Sequence, residues 1–422
     1  MIAHDPLRVA LEIREQLASE KRKFAFFFGA GTSMSIGVPG IAALTQQISN
    51  ELDEPYKSQF NSIKEELGSN ATVELVLDRI RAIRELINNS ETKAYDGLVG
   101  ATAAMNLDIS VCQLISKKVR SIDYSKIQPQ YKLSQWIHSL HTSRYWPVEI
   151  FTTNYDLLFE EAMEQASVPF YDGFIGSVNP FFSPESVEAD DLKSECYAYP
   201  PKSWTRIWKI HGSINWIMTI NPLDKKKRIS RLSSCEPNPG DELMIFPSRD
   251  KYTESRKLPF LTYQDRLRRF VSTGEGLLVV SGYSFFDEHL NEILFQGLRS
   301  NPRLSIIALM FGDPVEVEGE TKLKLSETLC DFGKLYKNLS VLGPDKACIG
   351  GIVASWGEPS RKKKDTELWP FWDSENTHFT LGNFSSFADY LELFIGFRVK
   401  HGFEPSVQLL SEAESQGQSN AN

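Results

Sequence analysis

Apolar residues along this chain change period several times, and each change marks an element. Leu7, Ala10, Leu11, Leu17 and Ala18 recur at helical spacing behind Asp5-Pro6, a cap followed by a first-turn proline, and predict a helix to about Ser19. Residues 24–28 are then continuously apolar between a basic run and Gly29, the pattern of a strand covered on both faces. Helical spacing resumes over residues 41–52, so the unit reads strand, glycine-rich turn, helix. From about 53 to 140 the spacing stays mostly helical, with Val73, Leu75, Val76 and Ile80 on one face, and predicts a helical insertion. Residues 148–152 read as a second strand and Leu157, Leu158, Phe159 and Ala162 open another helix.

Residues 173–201, rich in Pro, Ser, Asp and Glu, read as a long loop or lid. Strand-like runs follow at 206–210, 215–220, 243–246, 277–281 and 304–310, the last two flanking a predicted helix over 287–298. Strands alternating with helices, joined by crossovers of about ten residues or more, predict a doubly wound, mainly parallel α/β sheet of Rossmann-like type. The expected division is a dinucleotide-binding domain over 1–345, a C-terminal region over 346–405 with one helix near 385–397 and a possible assembly surface, and a disordered tail over 406–422.

Composition narrows the function classes. Hydrophobic residues at 41% and charged residues at 24% fit a globular protein with a large core rather than a disordered chain. The net charge of −9 argues against whole-molecule attraction to nucleic acid, which leaves two local basic patches, Lys225 to Arg228 with Arg231, and Arg361 to Lys364. Neither is interleaved with aromatic residues of the kind that stack on bases, so both read as solvated loops and nucleic acid stays an open partner. Five cysteines without a C-x-x-C pair argue against a disulfide framework or a structural zinc, and no metal is expected. No apolar run approaches the ~20 residues that span a bilayer, and the N-terminus lacks a secretory apolar segment, so the expectation is a cytoplasmic protein without membrane association.

In open α/β sheets ligands bind at the carboxyl ends of strands, so candidate chemistry lies directly after the apolar runs. Gly29-Ala30-Gly31-Thr32-Ser33 follows the first strand, where glycines let backbone approach a pyrophosphate, though a tight turn without ligand has the same sequence and the third glycine of G-x-G-x-x-G is missing. Asn154 and Asp156, in Thr152-Thr153-Asn154-Tyr155-Asp156, offer an amide and a carboxylate to one ligand, or Asp156 merely caps the next helix. His211-Gly212-Ser213 places an imidazole, which can take a proton near neutral pH, beside a glycine that leaves space; a structural histidine is the plainer alternative. Ser281-Gly282-Tyr283-Ser284 ends a further strand, with Asp287 readable as the cap of the helix behind it.

In this order the four segments resemble the sirtuin superfamily, and more closely the sirtuin-like domains of bacterial antiphage defence proteins than the protein deacetylases. The resemblance runs over about residues 20–310. It implies that Gly29, Ala30, Gly31, Thr32 and Ser33 cradle the NAD pyrophosphate and that Asn154 orders a ribose hydroxyl or water. Asp156 would bind near the nicotinamide carboxamide, with His211, beside Gly212, as base, and Gly282 and Ser284 would contact the adenosine half. Deacylases of the family carry two C-x-x-C pairs between the asparagine-aspartate motif and the later glycine motif; here that interval holds only Cys196 and Cys235. The resemblance therefore implies NAD hydrolysis to nicotinamide and ADP-ribose, with NAD as substrate and water as acceptor. It also implies a homo-oligomer and, as in some short members, a HerA-type ATPase partner in antiviral defence. The chain has no P-loop motif of its own. The alternatives are an NAD- or ADP-ribose-sensing subunit that does not turn over, a deacylase or ADP-ribosyltransferase, and a nuclease component of such a complex.

Overall fold

The computed structural model describes residues 3–68, 71–140, 144–189, 200–233, 242–244, 258–360 and 369–395. A nine-stranded sheet organises them, built from β1 (Lys23–Phe28), β2 (Val148–Thr152), β3 (Phe170–Tyr171), β4 (Thr205–Lys209), β5 (Gly276–Ser281), β6 (Leu304–Leu309), β7 (Leu339–Leu342), β8 (Lys346–Ile349) and β9 (Ile352–Ser355). Their spatial order is β9-β8-β7-β6-β5-β1-β2-β4-β3. Strands β1 to β7 run parallel, and β8 and β9 add an antiparallel edge. The fold is α/β and Rossmann-like. From β1 the chain builds outward through β2 and β4 on one side, then returns to add β5, β6 and β7 on the other, which makes the β1–β5 border the topological switch point.

The run of phenylalanines in β1 explains why both faces are covered. Side chains alternate across a strand. Phe24, Phe26 and Phe28 join a core with Leu7, Ile13, Trp136, Ile137, Phe384 and Phe387, supplied by helices Pro6–Ala18, Gln128–Leu140 and Phe384–Glu392. Ala25 and Phe27 join the opposite core with Leu267, Phe270, Leu290 and Leu294, from helices Phe260–Ser272 and Glu288–Ser300. Asp5 caps the first helix by accepting from Leu7 N at 2.9 Å.

Helices Ile41–Glu51, Tyr56–Leu67, Val73–Ile87 and Ala101–Arg120 build a core of their own around Ile48, Phe60, Ile63, Val76, Ile80, Val111 and Ile115. The last helix of the predicted insertion, Gln128–Leu140, instead lies on the main sheet. A second, antiparallel sheet takes strands from Phe174–Ile175, Phe181–Phe182, Gly212–Ile220, Lys227–Arg231 and Glu242–Met244. The segment expected as a long loop or lid over 173–201 holds two short strands and helix Pro184–Glu188; its residues 190–199 lie outside the described ones. Alternation over two residues is too short to register as a period, which is why the sequence reads as loop.

Two strands, β8 and β9, lie where the apolar pattern weakens, because at this edge of the sheet Lys346, Ile349, Ile352 and Ser355 are partly or fully exposed. The basic run Lys225 to Arg228 forms the exposed end of the hairpin Gly212–Arg231, with Arg228 held by Asp224 at 3.1 Å and Arg231 paired with Asp172. The other basic patch, Arg361 to Lys364, and the tail lie outside the described residues, as do Cys196 and Cys235. Among the described residues no helix is long and apolar enough to cross a membrane.

Candidate functional site at the switch point

The turn after β1 runs into a single helical turn, Gly31–Met34, and sits against the turn after β5. Gly31 N donates to Gly282 O at 2.8 Å and Gly29 N to Ser281 O at 3.1 Å. A Cβ on Gly29 would lie 2.5 Å from Gly282 O, and one on Gly31 would lie 2.6 Å from Gly282 Cα. Gly282 itself has φ +66° and a Cβ there would meet Thr32 N at 2.6 Å. The three glycines therefore bring two main chains into contact across the switch point. Thr32, Ser33 and Met34 N–H groups donate to Gly29 O, Ala30 O and Ala30 O. The expected row of amides open to a phosphate is thus largely engaged within the turn, while Ala30 is exposed at its apex.

Asn154 and Asp156, on the loop after β2, reach into this turn. Asn154 Nδ2 lies 3.2 Å from Gly29 O, 3.0 Å from Thr32 Oγ1 and 2.9 Å from Ser33 Oγ. Ser33 Oγ donates to Asp156 Oδ2 at 2.6 Å, and Asp156 Oδ1 accepts from Leu158 N at 3.2 Å. Asp156 is accordingly both a helix-start acceptor and part of a buried network. Burial pushes its carboxyl up from the ordinary value, opposed by Lys209, Ser33 and the Leu158 amide. Lys209, at the end of β4 and buried, donates to Asp156 O and pairs with Glu160 at 2.8 Å, tying the third strand end to the second. Gln130 Nε2 donates to Thr32 O at 2.9 Å. Gln130 Oε1 and the Ser281 hydroxyl, both beside the glycine turn, are buried with no hydrogen-bond partner among the described residues.

His211 follows β4 and is buried to 7% exposure. Its ring centroid lies 6.5 Å from that of Tyr155. Ser213 Oγ and Ile214 N both hydrogen-bond Tyr155 O, at 3.3 and 3.1 Å, so the histidine loop is stitched to the asparagine loop. Gly212 has φ +91°, a conformation that permits the chain to turn sharply into the second sheet. His211 Nε2 lies 3.3 Å from Asp287 Oδ2. Burial raises the Tyr155 phenol above its ordinary value, reinforced by Glu74 and Asp287. Ser284 is exposed beyond the glycine of the same turn.

The structure therefore brings Gly29, Thr32, Ser33, Asn154, Asp156 and Gly282 into direct contact and sets His211 and Gly212 on the adjoining strand end. Sequence reasoning missed Lys209 and Gln130. Lys209, with Arg206, is one of two charges in the short strand Thr205–Lys209, a signal for buried pairing; Gln130 carried no signal.

A doubly wound sheet with an amide, a carboxylate and an imidazole near its switch point belongs to the class of α/β proteins that bind ligands at the carboxyl ends of parallel strands. Within that class, the family model described as SIR2-like domain matches residues 148–330, which supports a sirtuin-like domain and NAD-related activity. The matched span takes in Asn154, Asp156, His211, Gly212, Gly282, Ser284 and Asp287, and begins after the Gly29 turn. SIR2-like domains are typically NAD-dependent enzymes. No curated protein matches the sequence.

Proposed function

We propose that the protein is an NAD glycohydrolase that cleaves the nicotinamide N-glycosidic bond, releasing nicotinamide, ADP-ribose and a proton. The observation that carries this reading is the direct contact of Asn154 and Asp156 with the Gly29–Ser33 turn, with His211 on the next strand end. Ala30, exposed at the apex of the glycine turn, marks where a pyrophosphate can approach it. Nicotinamide in NAD is a cationic leaving group, so departure develops an oxocarbenium-like ribose that needs negative charge nearby and a positioned nucleophile. Asp156 provides a carboxylate at this end of the sheet. Asn154, fixed through its amide nitrogen, orders a ribose hydroxyl or the attacking water, and His211 takes the proton that water gives up.

This sequence has no C-x-x-C pair of the kind the family's deacylases carry. Water is accordingly favoured over an acyl-lysine as acceptor. The family resemblance extends the proposal to NAD depletion in antiphage defence, within a homo-oligomer that works beside a HerA-type ATPase.

The test is incubation of purified protein with NAD, alone and with the product of the adjacent gene, following nicotinamide by chromatography. Asn154→Ala and His211→Ala should each lower the rate by about 10²-fold or more. Unchanged release from both variants overturns the assignment.

A further inference from the structure

We infer that Asp287 is a positioning residue that holds His211 in the one orientation and tautomer useful for proton transfer. This rests on the glycohydrolase reading of the same site. As the cap of helix Glu288–Ser300, Asp287 needs only one oxygen, and Oδ1 meets that need by accepting from Leu290 N at 3.2 Å. Its other oxygen, Oδ2, is aimed across the site at His211 Nε2, 3.3 Å away, and both side chains are 8% exposed.

The turn that presents Asp287 is braced. Tyr283 Oη hydrogen-bonds Asp287 O at 3.2 Å and Asn291 Oδ1 at 3.0 Å. Asn291 Nδ2 donates to Phe285 O at 2.7 Å, where Phe285 adopts φ +59°. A carboxylate oxygen this close to a buried imidazole nitrogen favours the tautomer that carries its proton on Nε2. The neutral ring then carries its lone pair on Nδ1, and Nδ1 is the atom that accepts the proton lost by water as the new C–O bond forms. The carboxylate remains ionised and balances the imidazolium. The pairing joins the strand ends of β4 and β5, on opposite sides of β1, so it forms only when both halves of the sheet are in place.

Three variants separate positioning from capping. Asp287→Ser keeps a capping oxygen but is too short to reach His211. Asp287→Asn keeps the reach and loses the charge, and Asp287→Ala loses both. Asp287→Ser should melt like the wild type yet lose about 10- to 100-fold in kcat, with KM for NAD within about threefold. Asp287→Asn should fall between it and the wild type. Wild-type kcat in Asp287→Ser or Asp287→Asn overturns the inference.

A second readout needs no turnover. Long-range 15N–1H spectra of the ligand-free protein, with His211 assigned by its absence in His211→Ala, should show the Nε2–H tautomer in the wild type and a mixture in Asp287→Ser. An Nδ1–H tautomer in the wild type overturns the inference. Should the wild type release no nicotinamide, the glycohydrolase reading fails while this spectrum still decides the Asp287–His211 contact, so the two failures are told apart.

Discussion

Glu149 is the second residue of β2, a strand buried along its whole length, where a carboxylate faces a desolvation cost. Burial pushes it up, but Arg266 outweighs that with Nε at 2.8 Å from Oε2 and Nη2 at 3.0 Å from Oε1, and Trp208 Nε1 donates at 2.6 Å. The net effect holds Glu149 below the usual carboxylate range. Its contribution to stability is therefore complete above the unfolded value of about 4.3 and is lost as pH falls through the lower folded value. Glu149→Gln removes the carboxylate that balances the buried Arg266 guanidinium and should cost about 3–5 kcal/mol at pH 7. Denaturant unfolding should show the gap to wild type closing as pH drops below about 4; a constant gap refutes the assignment. At the site, Ser33→Ala removes the hydroxyl that donates to buried Asp156 and meets Asn154 Nδ2. Unfolding free energy should fall by about 1–3 kcal/mol.

Among elements, the contact of two turns across the switch point controls the most. Gly282→Ala puts a methyl 2.6 Å from Thr32 N in a left-handed conformation, and Gly29→Ala puts one 2.5 Å from Gly282 O. Neither can be relieved by a rotamer change, since the obstacles are main chain. Gly37 is the control: its φ is +94° and a methyl there would meet nothing within 4 Å, so Gly37→Ala should cost only the conformational strain of about 1–2 kcal/mol. Thermal melts should place both switch-point variants well below Gly37→Ala. Equal losses at the three positions would mean that strain, not main-chain collision, governs the turn.

For the whole molecule, the sheet is sealed from one side by the late helix Phe384–Glu392. Phe384 packs edge-on to Phe28 at 5.4 Å, Phe387 lies against Phe26 at 6.1 Å, and Lys132 pairs with Asp389 at 2.7 Å and Glu392 at 2.8 Å. Ending the chain at residue 382 would bare the phenylalanines of the central strand. The truncated protein should bind a hydrophobic dye and lose its sharp melting transition. Retention of a wild-type melt would show that the helix only decorates the core. The proposed homo-oligomer is read by light scattering at micromolar concentration, where a mass above the 47.9 kDa of one chain is expected.

Local pattern alone determined the α/β class, the central strands and the strand-end positions of Asn154, His211 and Gly282, because a buried parallel strand must be apolar throughout and its loop must then turn polar. The capping role of Asp5 was legible for the same local reason. What only the tertiary structure decided is partnership: that β1 lies between β2 and β5, that Gly29 and Gly31 face Gly282 rather than open space, and that Lys209 and Gln130 brace the site. The division of the helical segment was decided there too, since helices of the same period cover different cores. Periodicity reports that a face is buried and carries no label for the distant segment that buries it.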